Sequence, residues 1–219
     1  MGSPRVLVLG IGNLLWADEG FGVRAVEALH RDYDLPDNVR LMDGGTQGLY
    51  LVDHVRNADI LVVFDAVDYG LPPGTIKLVE DDEVPKFLGA KKISLHQTGF
   101  QEVLATAELL GGGPGHLLLV GVQPVELEDF GGSLREATKD RIAPAISHAL
   151  DYLARFGVTA RLREVPRDDA ETLACRHMVM SRYEDERPSD EEACRSGDAR
   201  VLAWTAPDAA DADARPEDA

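Results

Sequence analysis

The stretch Arg5 to Val23, RVLVLGIGNLLWADEGFGV, passes from a buried strand through a glycine turn to an acid-bearing helix start, and it limits the folds open to this chain. Val6, Leu7, Val8 and Leu9 form an unbroken apolar run, the pattern of a strand covered on both faces of a parallel sheet. Gly10, Gly12 and Asn13 then turn the backbone sharply off the carboxyl edge of that sheet. Asp18 and Glu19 follow, just ahead of a helical pattern. In open α/β sheets ligands collect outside the carboxyl ends of the strands, so acids placed there are positioned for chemistry.

The pattern recurs. Val23, Val26, Leu29 and Tyr33 predict a helix that Leu35, Pro36 and Asp37 stop. Val39, Leu41 and Met42 form a short strand entering Asp43-Gly44-Gly45, and Leu49 to Val55 predicts a second helix. Ile60 to Phe64 is the strongest strand and ends at Asp65, so three strands lead into an acid. After the Pro- and Gly-rich turn Tyr69 to Gly74, Thr75 to Val79 alternates as a strand exposed on one side, expected to run antiparallel to its predecessor. Asp81 to Ala90 reads as an acidic loop or short turn, and Ile93 to Gln97 enters a helix that Gly111 to Gly115 terminates. Leu117 to Val122 is the last buried strand, and Leu134 to Phe156 reads as one long helix that Pro144 kinks or restarts. These elements predict an α/β fold with a domain at 1–159 and an acidic tail at 160–219. From 161 onward 9 Arg face 16 Asp plus Glu with few large apolar groups, a composition expected to remain largely disordered.

Charge and cysteine usage narrow the function. A formal net charge of -17 argues against nucleic acid or an anionic membrane as partner. No apolar run approaches a membrane span, and no signal peptide precedes the first strand, so the expectation is a cytoplasmic protein. Cys175 and Cys194 both fall outside the patterned region and suggest neither a disulfide framework nor a metal pair.

Gly10-Ile11-Gly12 invites a dinucleotide reading, but Leu15 stands where the third glycine belongs, and Asp18 and Glu19 would face a pyrophosphate with like charge. No Gly-x-Ser-x-Gly elbow, patterned cysteine or His-Glu-x-x-His helix is present, so a hydrolase built on this chain must work with water, a metal or an acid. Glu19, Asp65 and His96, with Asp43 nearby, each lie just past a separate apolar run, and a set of imidazole and carboxylates suits nickel, zinc or iron. Each also has an ordinary structural use: Asp18 and Glu19 as helix-capping acids, Asp65 as a turn acid before Asp68 and Gly70, His96 as a helix-entry histidine.

Five segments in order resemble the hydrogenase maturation endopeptidases: VLVLGIGNLLWADEGFGVRAVEAL at 6–29, MDGGTQG at 42–48, VVFDAVDYGLPPGT at 62–75, ISLHQTG at 93–99 and LLLVGVQP at 117–124. The resemblance spans about residues 5–157 and implies a three-layer α/β/α sandwich with a mixed, mostly parallel five-stranded sheet. It implies that the protein trims the C-terminal extension of a nickel–iron hydrogenase large-subunit precursor, with nickel supplied by that subunit as the recognition signal; a monomer is expected. It also implies Glu19, Asp65 and His96 as metal contacts and a grouping with aspartic-type peptidases; Asp65 and Glu19 are then the catalytic candidates, with Asp43 second to them for positioning water or backbone. The alternative is a checkpoint module that senses nickel in the same partner without cutting it.

Overall fold

Three strands of nearly continuous apolar sequence and a fourth, shorter apolar stretch at 39–42 pair in parallel, with helices covering the faces of the sheet. A computed structural model of the chain describes residues 2–88, 95–173 and 175–187, with the side chains of 86–88, 95–99 and 170 outside that description. The elements run β1 (Val6–Ile11), α1 (Phe21–Asp32), β2 (Tyr33–Asp34), β3 (Val39–Gly45), α2 (Val52–Arg56), β4 (Ile60–Ala66), β5 (Ile76–Glu80), α3 (Glu83–Leu88), α4 (Leu95–Leu109), β6 (His116–Val122), α5 (Glu136–Lys139), α6 (Ile142–Ala154), β7 (Arg161–Leu162) and α7 (Met180–Asp185). The main sheet has the order β3-β1-β4-β6-β5, with β5 alone antiparallel, and β2 and β7 form a separate two-stranded ladder.

Side-chain alternation divides the core in two. Val6 and Val8 of β1 with Val62 and Phe64 of β4 pack against Phe21, Val26 and Leu29 of α1 and Ile146 and Leu153 of α6. Leu7 and Leu9 with Leu61 and Val63 face the other way, onto Val52 and Val55 of α2 and Phe100 and Val103 of α4. Each fully buried Val, Leu or Phe contributes about 1.5–3 kcal/mol, so the two faces together hold the three layers.

β5 runs antiparallel to β4, as expected, with β6 between them. Two expectations change. The acidic turn at 81–90 contains α3. The expected long helix is two, α5 and α6, and Pro144 lies in the first turn of α6, where its missing N–H would have had no intrahelical partner.

The tail boundary at 159/160 also moves. The chain divides into a unit ending at Glu184 and a second, Asp185–Ala219, of which only 185–187 are described; the rest of the expected tail, with Cys194, lies outside the described residues. Residues 161–184 are tied to the end of α1. The backbone N–H of Arg163 donates to Asp32 O and that of Arg167 to Arg31 O, both at 2.9 Å. The Arg167 guanidinium donates to the carbonyls of His30 and Tyr33, and Asp34 is ringed by Arg161, Arg163 and Arg167. Val179 is buried, while Cys175 is exposed with a free thiol. Among the described residues no helix is long and apolar enough to cross a membrane.

Candidate functional site

Two glycines bring the Glu19 turn down onto the sheet. A β-carbon at Gly12, which holds φ +137°, would lie 1.8 Å from the carbonyl oxygen of Glu19, so only glycine lets the turn close here. A β-carbon at Gly22 would lie 2.1 Å from the carbonyl oxygen of Phe64, the residue before Asp65. The 3-10 turn Ala17–Gly20 consequently packs against β4. Ala17 takes a left-handed φ of +39°, a strained conformation that costs a non-glycine residue about 1–2 kcal/mol.

The neighbouring acids of this turn have separate tasks. Asp18 is fully buried, and rather than capping α1 it accepts backbone N–H groups from Val125 at 2.8 Å, Glu126 at 3.0 Å and Arg135 at 2.7 Å. That ties the loop after β6 to the turn after β1. Glu19 is half-buried beside it, at the carboxyl edge.

Asp65 lies near the end of β4 and is 2% exposed. It stands in register with Gly121 of β6, which in turn pairs with Lys77 of β5. Residues in one cross-strand row share a sheet face, so Asp65 and Lys77 flank a glycine with no side chain between them. Tyr69 fills that gap, its hydroxyl 1.9 Å from where a β-carbon on Gly121 would sit, with the Lys77 ammonium 5.1 Å from the centre of its ring. Burial, and then the Asp65 carboxylate, push the Tyr69 phenol above its ordinary range and keep it protonated. Gln123, at the end of β6, fixes the loop that carries Tyr69: its Oε1 accepts the N–H groups of Tyr69 at 2.7 Å and Leu71 at 3.1 Å, and its Nε2 donates to Asp68 at 3.0 Å.

Asp43 does not share the Asp65 face. It pairs with Gly10, whose other partner is Phe64, and Phe64 packs toward α1. The Asp43 side chain accordingly senses Arg24 and Glu27 of α1. Burial raises its carboxyl above the usual range, opposed by the Gly45 N–H and by Arg24, and burial likewise raises Glu27. A cavity of about 590 Å³ opens on this α1 side between α1, α6 and residues 162–184; Asp65 does not line it.

His96 belongs to the first turn of α4, and its side chain lies outside the described residues. Because α4 leads into the amino edge of β6, its first turn lies toward the carboxyl edge, on the sheet face that Asp65 shares. Among the described residues no group of three or more His, Cys, Asp or Glu is placed to hold a metal ion. Of the acids singled out in the sequence, the structure therefore sets the turn of Glu19 against the strand of Asp65 and points Asp43 to the opposite sheet face from Asp65. Tyr69, Lys77 and Gln123 are additions. Gln123 carried a signal of the same kind as Asp65, a polar side chain closing an apolar strand.

A family model for hydrogenase maturation proteases matches residues 23–152. The hydrogenase expression/formation protein HupD of Thiocapsa roseopersicina is 69% identical over 200 residues, covering 91% of this chain and 90% of that protein. The hydrogenase 2 maturation protease of Escherichia coli K12 is 44% identical over 165 residues, covering 75% of this chain and 99% of that protein. The solved structure of the hydrogenase maturating endopeptidase HybD from E. coli superposes with a TM-score of 0.68 at 42% identity, covering 75% of this chain and 99% of that one. The family model covers more than half of the chain and these relatives are matched over most of it: this chain belongs to the hydrogenase maturation protease family.

Proposed function

We propose that this protein is an endopeptidase that removes the C-terminal extension from the nickel-loaded large-subunit precursor of a nickel–iron hydrogenase, acting as a monomer in the cytoplasm. The observation that carries the reading is the placement of Asp65, buried at the end of a central strand, beside the turn that presents Glu19. A carboxylate held out of bulk water accepts a proton from an attacking water more effectively than one fully hydrated. Nickel carried by the precursor would add a Lewis acid that polarises the scissile carbonyl. Glu19 and Asp65, with His96 as third ligand, supply the hard and borderline donors that such an ion accepts.

In this reading Glu19, Asp65 and His96 hold the incoming ion against the rim, and Asp65 also orients the attacking water and accepts its proton. Tyr69, protonated and packed on Gly121, backs Asp65 and keeps water from entering behind it. The grouping with aspartic-type peptidases uses the carboxylates in the same way, as acceptors of the water proton.

The test is to incubate the purified protein with nickel-loaded and nickel-free precursor and record intact masses. Loss of a C-terminal fragment from the nickel-loaded form alone supports the reading. Equal trimming of both forms removes nickel from the account, and no trimming of either removes the peptidase assignment.

A further inference from the structure

We infer that the loops around Glu19 and Asp65 form a docking surface for a folded face of the substrate precursor, one bearing an apolar patch bordered by lysine or arginine. This rests on the proposed function for its substrate, and it extends recognition beyond the residues at the cut.

Four loops leave the carboxyl ends of the parallel strands, and each exposes large apolar side chains. Leu15 after β1 is 42% exposed, Leu49 and Tyr50 after β3 are 61% and 85%, Leu71 after β4 is 38%, and Phe130 after β6 is 64%. Scattered single exposures are ordinary on a protein surface, but five from four loops at one edge are a patch. The strand order β3-β1-β4-β6 places these loops side by side. At about 4.8 Å per strand they span roughly 15 Å. An extended peptide is one strand wide, so a rim of this width fits a folded surface better than the extension alone.

The rim is also preorganised. Trp16 meets Phe130 edge-on with ring centres 5.2 Å apart, and the N–H of Gly131 donates to Leu15 O at 2.7 Å. Aromatic side chains fixed before binding make effective anchors because little freedom remains to be lost.

Charge supplies the other half of the complement. Residues 12–20, 46–51, 67–74 and 123–131 carry Asp18, Glu19, Asp68, Glu126, Glu128 and Asp129 and no Lys, Arg or His. Asp18 is turned inward onto backbone N–H groups and Asp129 pairs with Arg135, but Asp68 and Glu128 are exposed at the rim. Four loops that carry carboxylates and no Lys, Arg or His beside exposed apolar side chains select an apolar face edged by cations.

The experiment measures kcat and KM for trimming of the nickel-loaded precursor by Tyr50→Glu, by Leu49→Glu and by Glu126→Lys/Glu128→Lys, with Leu109→Glu at the far end of α4 as control. Thermal melting confirms folding of each variant, and Tyr50, at 85% exposed, has little packing to lose. The expected result is a rise in KM of about tenfold or more for the rim variants, with kcat within about twofold and Leu109→Glu unchanged. The charge-reversed pair should also lose the dependence of KM on salt. An unchanged KM in the rim variants overturns the proposal. So does a dimer of the wild type that Tyr50→Glu dissolves without altering KM, since the occupant is then a second copy of this chain. Binding of precursor, followed separately by calorimetry, distinguishes this proposal from the peptidase reading. Precursor bound through the rim but never cut defeats the latter and leaves the docking surface standing.

Discussion

The hydroxyl of Tyr69 occupies the place that a side chain at Gly121 would take, 1.9 Å from the position of its missing β-carbon. Tyr69 cannot easily retreat, because it is 5% exposed and Gln123 holds its backbone N–H at 2.7 Å. Gly121→Ala should therefore cost about 1–3 kcal/mol, the usual penalty for overpacking. Urea unfolding of Gly121→Ala, alone and with Tyr69→Ala, checks this: the second substitution makes room, so the penalty of the first should shrink in its presence.

Asp18 satisfies three backbone donors from the loop 125–135. Asp18→Ala is expected to destabilise by about 3 kcal/mol or more, since each stranded buried donor costs about 1–3 kcal/mol. Chemical denaturation measures the loss, and a change below about 1 kcal/mol would show that water replaces the carboxylate without penalty.

The C-terminal segment gives an independent check. Arg167→Ala removes the donors to the His30 and Tyr33 carbonyls at the end of α1. Amide exchange should accelerate through residues 161–173 while β1 and β4 keep their protection.

Acid should weaken one surface tie in a defined window. Asp59 accepts the Arg5 guanidinium and backbone N–H, and these bonds hold its carboxyl down at about 2, below its ordinary 3.8. A lowered carboxyl contributes stability above its unfolded value, and that contribution disappears as pH falls through about 2. The side chains are 63% and 46% exposed, so water screens the pair and its contribution is small. Asp59→Asn should be less stable than the parent at pH 7 by that small amount, with the two stabilities converging near pH 2.

The sequence makes some of this architecture legible and conceals the rest for identifiable reasons. β1, β4 and β6 show as continuous apolar runs because helices cover both faces, and Asp65 stands out as the first charge after such a run. Residues 161–184 escape the same reading because arginines reaching backbone carbonyls and Asp34 hold them, and hydrogen bonding of that kind leaves no apolar period. Asp43 looked equivalent to Asp65 because both close a strand. A register one residue different turns their side chains to opposite faces, and register is set by pairing that composition does not display. Lys77 joins the Asp65 row only through the pairing of β6 with both β4 and β5, a relation that composition does not display.

The account stands most directly on Asp65. In single-turnover trimming of nickel-loaded precursor, Asp65→Asn should slow cleavage by about 100-fold or more with its melting temperature little changed, while Asp43→Asn stays within about tenfold of the parent. Cleavage by folded Asp65→Asn at the parent rate would contradict the assignment.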